Sequence, residues 1–167
     1  MRQLDHRDIQ NKQHPKNIVV IADSVNDKRN IGMLFRIAEA FSVTKVILHK
    51  ETILKNDNSI KRISRSTLDN LEIGYSSDIE SLLNNYKSLD YSIVALEKCD
   101  EGIPVQSNAW KESNDIVIIL GHENFGVNQK LLDLCDYAVH INMFGTNTSM
   151  NVIQATAIAL YEFTREY

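Results

Sequence analysis

Short apolar runs alternate with amphipathic and polar stretches along this chain, and the period of that alternation predicts its elements. Asn17 to Ala22, Lys45 to His49, Tyr91 to Leu96 and Ile116 to Leu120 are rich in β-branched residues and too short for helices, which predicts buried strands. Glu72 to Tyr75 and Tyr137 to Ile141 predict two more. Asn30 to Phe41 carries Met33, Leu34, Ile37, Ala38 and Phe41 at helical spacing. Ile79 to Tyr86 predicts a second helix. Val152 to Phe163 predicts a third, with Ser149 as its N-cap and Asn151 in its first turn. Strands alternating with helices define an α/β class with a mostly parallel sheet, whose ligands bind at the carboxyl ends of the strands.

The segments that follow the strands narrow the chemistry. Asp23 to Arg29 is a predicted loop without glycine, so no Gly-x-Gly-x-x-Gly fingerprint follows the first strand and an ordinary dinucleotide site is disfavoured. Gly121-His122-Glu123-Asn124-Phe125-Gly126 instead places two glycines around one carboxylate, where backbone amides approach a ligand closely. Asn142 to Thr148 is a second polar loop, full of groups that hydrogen-bond their own backbone.

Length and composition set bounds. With 167 residues and no Pro/Gly-rich linker, the chain reads as one domain over residues 17 to 167, preceded by a polar, basic arm over residues 1 to 16. No apolar run is long enough for a membrane span and MRQLDHRDIQ lacks the apolar core of an export signal, so a cytoplasmic protein without a membrane partner is expected. Cys99 and Cys135 are too few for a disulfide framework or a zinc knuckle; both are expected to be structural thiols, and no metal is expected. The net charge of −4 conceals a division, since residues 1 to 65 hold 13 Lys and Arg against 7 Asp and Glu, and residues 66 to 167 hold 5 against 15. A basic half suits a surface that meets phosphates, and it equally suits a run of solvated side chains. Lys61-Arg62-Ile63-Ser64-Arg65-Ser66-Thr67 mixes basic and hydroxyl groups, which suits phosphate oxygens and suits a solvated loop nearly as well.

Three ordered motifs carry a family resemblance. Asn30-x-Gly32-x-x-x-Arg36, Gly121-x-Glu123-x-x-Gly126 and the pair Ile141-x-Met143-x-Gly145 with Ser149-Met150-Asn151-Val152 resemble the motifs of the SpoU/TrmH RNA 2′-O-ribose methyltransferases. The likeness spans roughly residues 17 to 163. The larger N-terminal substrate segment of many such enzymes is expected here to be reduced to the arm, as in a minimal form. Asn142 stands where the family commonly has proline. The resemblance implies a deep trefoil knot at the C-terminus and S-adenosylmethionine held by the turns after Leu96, Leu120 and Ile141, with Gly121, Met143, Ser149 and Met150 among its contacts. It also implies catalytic roles for Arg36, Asn30, Glu123, Ser149 and Asn151, with Glu123 fixing Arg36 or the loop, and an RNA substrate, tRNA or rRNA. A homodimer through the C-terminal helix is implied as well, and that helix is apolar around more of its circumference than one core-facing stripe requires. Gly121→Val is expected to abolish cofactor binding and spare the fold.

Two other readings compete. An RNA-binding or assembly protein of the same fold without turnover is disfavoured by the full set of polar motif residues. A nucleotide-dependent oxidoreductase is disfavoured by the missing glycine fingerprint. For Arg36 the bland alternative is a surface helix arginine, and only its spacing from Asn30 and Gly32 argues otherwise.

Overall fold

A computed structural model of the chain describes residues 10–49, 71–113 and 115–167, with positions 2, 3, 5, 8, 60, 62 and 64. Of the Lys61 to Thr67 segment only Arg62 and Ser64 fall within the described residues. The elements run β1 (Asn17–Ala22), α1 (Lys28–Ala40), β2 (Lys45–His49), β3 (Glu72–Ser76), α2 (Ile79–Ser88), β4 (Ser92–Leu96), β5 (Ile103–Pro104), a 3-10 turn (Ala109–Lys111), β6 (Asp115–Leu120), α3 (Gln129–Leu132), β7 (Tyr137–His140) and α4 (Val152–Thr164). The strands form one sheet in the order β3-β2-β1-β6-β4-β7-β5. Every pairing in it is parallel.

Pleating sends alternate residues of β1 to opposite faces, and both faces are covered. Ile18, Val20 and Ala22 join Ile116, Ile118 and Leu120 in a core closed by α1 and α4 through Ile31, Leu34, Phe35, Ile153, Leu160 and Phe163. Val19 and Ile21 join Val117 and Ile119 in a second core closed by α2 and α3 through Ile79, Leu83 and Leu131. Burial on both sides explains why these strands are unbroken apolar runs.

Several element boundaries differ from the sequence expectation for a common reason, which is that caps are chosen by hydrogen-bond geometry. Helix α1 begins inside the predicted loop, because the Asp27 carboxylate accepts from the Arg29 and Asn30 backbone N–H groups. Helix α4 is capped by Asn151, whose Oδ1 accepts from Ile153 N at 2.9 Å; Ser149 lies outside the helix. The short strand β5 and the 3-10 turn carry no periodic signal, and tertiary contacts select them, with β5 pairing to β7. Trp110 is buried there, donating through Nε1 to Val105 O at 2.8 Å and stacking on Phe163.

The end of the basic arm is docked. His14 Nε2 lies 2.8 Å from Phe41 O, and the Lys16 ammonium donates to Lys111 O and Ser113 O and sits 4.3 Å from the centre of the Phe163 ring. Burial holds the Lys16 pKa below its ordinary value. Cys135 is partly buried, its thiol donating to Leu131 O and pushed up to about 12 by desolvation.

The Asp27 cap gives a test. Asp27→Ala should cost about 1 kcal/mol and Asp27→Asn much less, measured by urea denaturation. The two backbone N–H groups hold this carboxyl below its ordinary 3.8, so its contribution is full above that value and is lost as pH falls through the lower folded pKa.

Candidate active site

β4, β6 and β7 are neighbours in the sheet, and all three end at the same edge, so the segments leaving them meet. Between them lies a cavity of about 650 Å³, a size that takes a drug-sized ligand. Leu96 to Asp100 supply one wall, Gly121 to Val127 a second, and Val139 to Ile141 with Met143, Thr148 to Val152 and Ala155 most of the rest. Leu96, Gly121, Ile141, Met143, Ser149 and Met150, expected from the sequence to hold a cofactor, all line it.

The middle wall is a tight turn held from inside and outside. His122 and Gly126 exchange backbone hydrogen bonds at 3.0 and 2.8 Å, and Gly126 adopts φ +69°, where a side chain is strained. From outside, Glu97 spans the gap between two walls: its Oε2 accepts from Val127 N at 2.9 Å and its Oε1 from Lys98 N at 2.8 Å. A methyl group on Gly126 would collide with that carboxylate. Sequence reasoning stopped at Leu96 and missed Glu97. The available signal was a carboxylate directly after a buried strand end.

Gly121 corrects an expectation. A Cβ there would strike the backbone of Gly126 and Val127, so Gly121→Val cannot spare the fold. By contrast, Gly145 faces open space.

One hydrogen-bond relay joins the three motifs. Asn151 Nδ2 donates to Asn30 Oδ1 at 3.1 Å, and Asn30 Nδ2 donates to Glu123 Oε1 at 3.2 Å. Because Asn151 Oδ1 already accepts from Ile153 N, each amide has only one orientation that satisfies the chain of donors. Glu123 is therefore tied to Asn30; among the described residues it makes no ion pair with Arg36. Arg36 is exposed on α1, about 120° around the helix from Asn30. It lies outside the cavity, and among the described residues it has no hydrogen bond or ion pair. Thus Asn30, Glu123 and Asn151 come together, Ser149 lines the same cavity, and Arg36 stands apart.

Three strand-end turns around one cavity, with this relay tying two of them to α1, accompany a match between residues 17–161 and the model of the SpoU rRNA methylase family. This chain belongs to that family. Among curated SpoU-like relatives, it is 26% identical over 154 residues to the 23S rRNA (guanosine-2′-O-)-methyltransferase RlmB of Bordetella pertussis, covering 89% of this chain and 60% of that protein. It is 25% identical to the tRNA (guanosine(18)-2′-O)-methyltransferase of Saccharomyces cerevisiae, over 98% of this chain and 11% of that protein. An AdoMet-bound rRNA methyltransferase from Sinorhizobium meliloti superposes with a TM-score of 0.81 at 23% identity, over 99% of this chain and 61% of that one. The chain spans about three fifths of the length of such bacterial relatives.

Both supports of the turn are testable by denaturation. Gly121→Ala should lower stability by about 1–3 kcal/mol, the scale of an overpacked site. Glu97→Ala should cost a similar amount by leaving the Val127 N–H without its charged acceptor, and Glu97→Gln, which keeps an oxygen, should recover most of it. Wild-type melting behaviour in either alanine variant would show that the turn does not depend on these contacts.

Proposed function

We propose that this chain transfers a methyl group from S-adenosylmethionine to a ribose 2′-hydroxyl of RNA, either tRNA or rRNA. The observation that carries this is the lining of one open cavity by three strand-end turns, with the Asn30, Glu123 and Asn151 relay at its rim. Support comes from the family match and from relatives named for 2′-O-methylation of guanosine. The cavity fits the cofactor in size and character: Leu96, Ile141, Met143, Val152 and Ala155 offer apolar surface, and the glycine turn offers backbone. When bound, the cofactor supplies an electrophilic methyl carbon and leaves as a neutral thioether while the hydroxyl proton is lost to solvent, so no metal is required.

The side chains then have distinct tasks. Asn30 and Asn151 lock the entries of α1 and α4 to the turn, and Glu123 presents a carboxylate at that rim, where it accepts hydrogen bonds from a hydroxyl. A guanidinium, with a pKa above about 12, is a poor proton acceptor at neutral pH. Arg36 is assigned instead to orienting the ribose or its phosphate and to stabilising developing charge, a role its lack of partners among the described residues permits.

The same reading includes a homodimer and a C-terminal knot. On α4, Ile158 is 37% exposed and Tyr161 58%, and Met33 of the adjoining α1 is 41% exposed, an apolar surface suited to a second copy. β7 lies between β4 and β5, although those two are joined by residues 97–102 alone, so the chain leaving β7 must clear that connection. This arrangement supports threading of the C-terminal segment.

Calorimetry with S-adenosylmethionine and a methyl-transfer assay on tRNA and rRNA test the activity. Arg36→Ala should bind the cofactor normally and lose turnover by roughly a hundredfold, with little rescue by Arg36→Lys, because an ammonium lacks the planar fork. A near wild-type rate would return Arg36 to the status of a surface arginine. For the dimer, sedimentation at micromolar concentration should show two copies, and a monomer would end that part of the proposal.

A further inference from the structure

Two phenylalanines are among the most exposed large apolar side chains described: Phe144 is 97% exposed and Phe125 84%. Single exposed apolar residues are ordinary on protein surfaces, and what sets these apart is placement. Phe125 belongs to the glycine turn and lines the cavity. Phe144 follows Met143, which lines the same cavity from the loop after β7. Each ring therefore stands on a loop that borders the site.

Phe125 is also mounted on a support. Its ring centre lies 4.8 Å from that of His122, tilted by 41°, and His122 Nδ1 accepts from Asn124 N at 3.0 Å, which fixes the imidazole beneath it. The backbone pairing of His122 with Gly126 pins the turn that carries the ring. On the other loop, the open space around Gly145 leaves Phe144 unscreened.

An A-form helix displays its 2′-hydroxyls along a wide, shallow minor groove, whereas the cavity here is recessed between three turns, which a nucleotide splayed out of the stack enters more readily than one held within a duplex. Unstacked bases recover part of that cost on aromatic side chains, which accept any base because every base has a π face. Resting on the methyltransferase reading above, we propose that Phe125 and Phe144 are stacking platforms for unpaired RNA bases beside the reacting ribose. They would make single-stranded or loop RNA the preferred substrate class.

Fluorescence anisotropy with a short, labelled, single-stranded oligoribonucleotide of mixed sequence, compared with the same strand in a duplex, tests this without any need for turnover. The wild-type protein should prefer the single strand. Phe125→Ala and Phe144→Ala should each weaken its binding about tenfold, and the tryptophan variants should restore it, since stacking needs only a flat aromatic face. Equal affinity in the double alanine variant, or no preference for the single strand, would overturn the proposal. So would a loss of binding that follows a loss of self-association in sedimentation, because the rings would then belong to a contact between copies. Calorimetry with S-adenosylmethionine is read separately: failure of the wild type to bind the cofactor defeats the methyltransferase reading, while the oligonucleotide result still decides whether these rings hold RNA.

Discussion

The parallel pairing of β1 with β6, from Asn17 against Asp115 to Ala22 against Leu120, is the constraint on which the site depends. Both strands are buried on both faces, so this central pair removes a large apolar area from water and its register is costly to shift. The ladder extends one step beyond the strands, where Asp23 N donates to Leu120 O at 2.9 Å. The chain thus leaves β1 and β6 side by side. That is why Asn30, in the first turn of α1, reaches Glu123 in the turn after β6.

A second constraint operates at β7. Insertion of this strand between β4 and β5 brings the segments after β4, β6 and β7 around one space. Glu97 then bridges two of those segments with a single carboxylate, and the absence of side chains at Gly121 and Gly126 lets them approach. The cavity walls are therefore coupled, since displacing the turn at Gly126 also disturbs the hydrogen bond to Val127.

Charge along the sequence proved a poor guide to charge on the surface. The N-terminal half is basic, yet Lys16 is buried against carbonyls and an aromatic ring, Arg29 pairs with Asp27, and Lys45 pairs with Glu72 at 2.7 Å. Arg36, by contrast, is exposed and has no such partner among the described residues. What an RNA phosphate would meet depends on which cations the fold leaves uncommitted, more than on their number.

Local patterning determined much of this protein by itself. Apolar runs and helical spacing located the principal strands and helices, because burial on one or both faces writes itself into neighbouring residues. The glycines around Glu123 and the polar loop before Asn151 marked the ligand-facing turns, since close backbone approach needs those residue types. Tertiary structure decided the rest. It placed β7 between β4 and β5, joined Asn30 to residues 93 and 121 positions away, recruited Glu97, moved the α4 cap from Ser149 to Asn151, and turned Arg36 away from the relay. Each of these outcomes rests on a distance between atoms remote in the chain or on the direction of one side chain around a helix, and a periodicity confined to a few neighbouring residues carries neither.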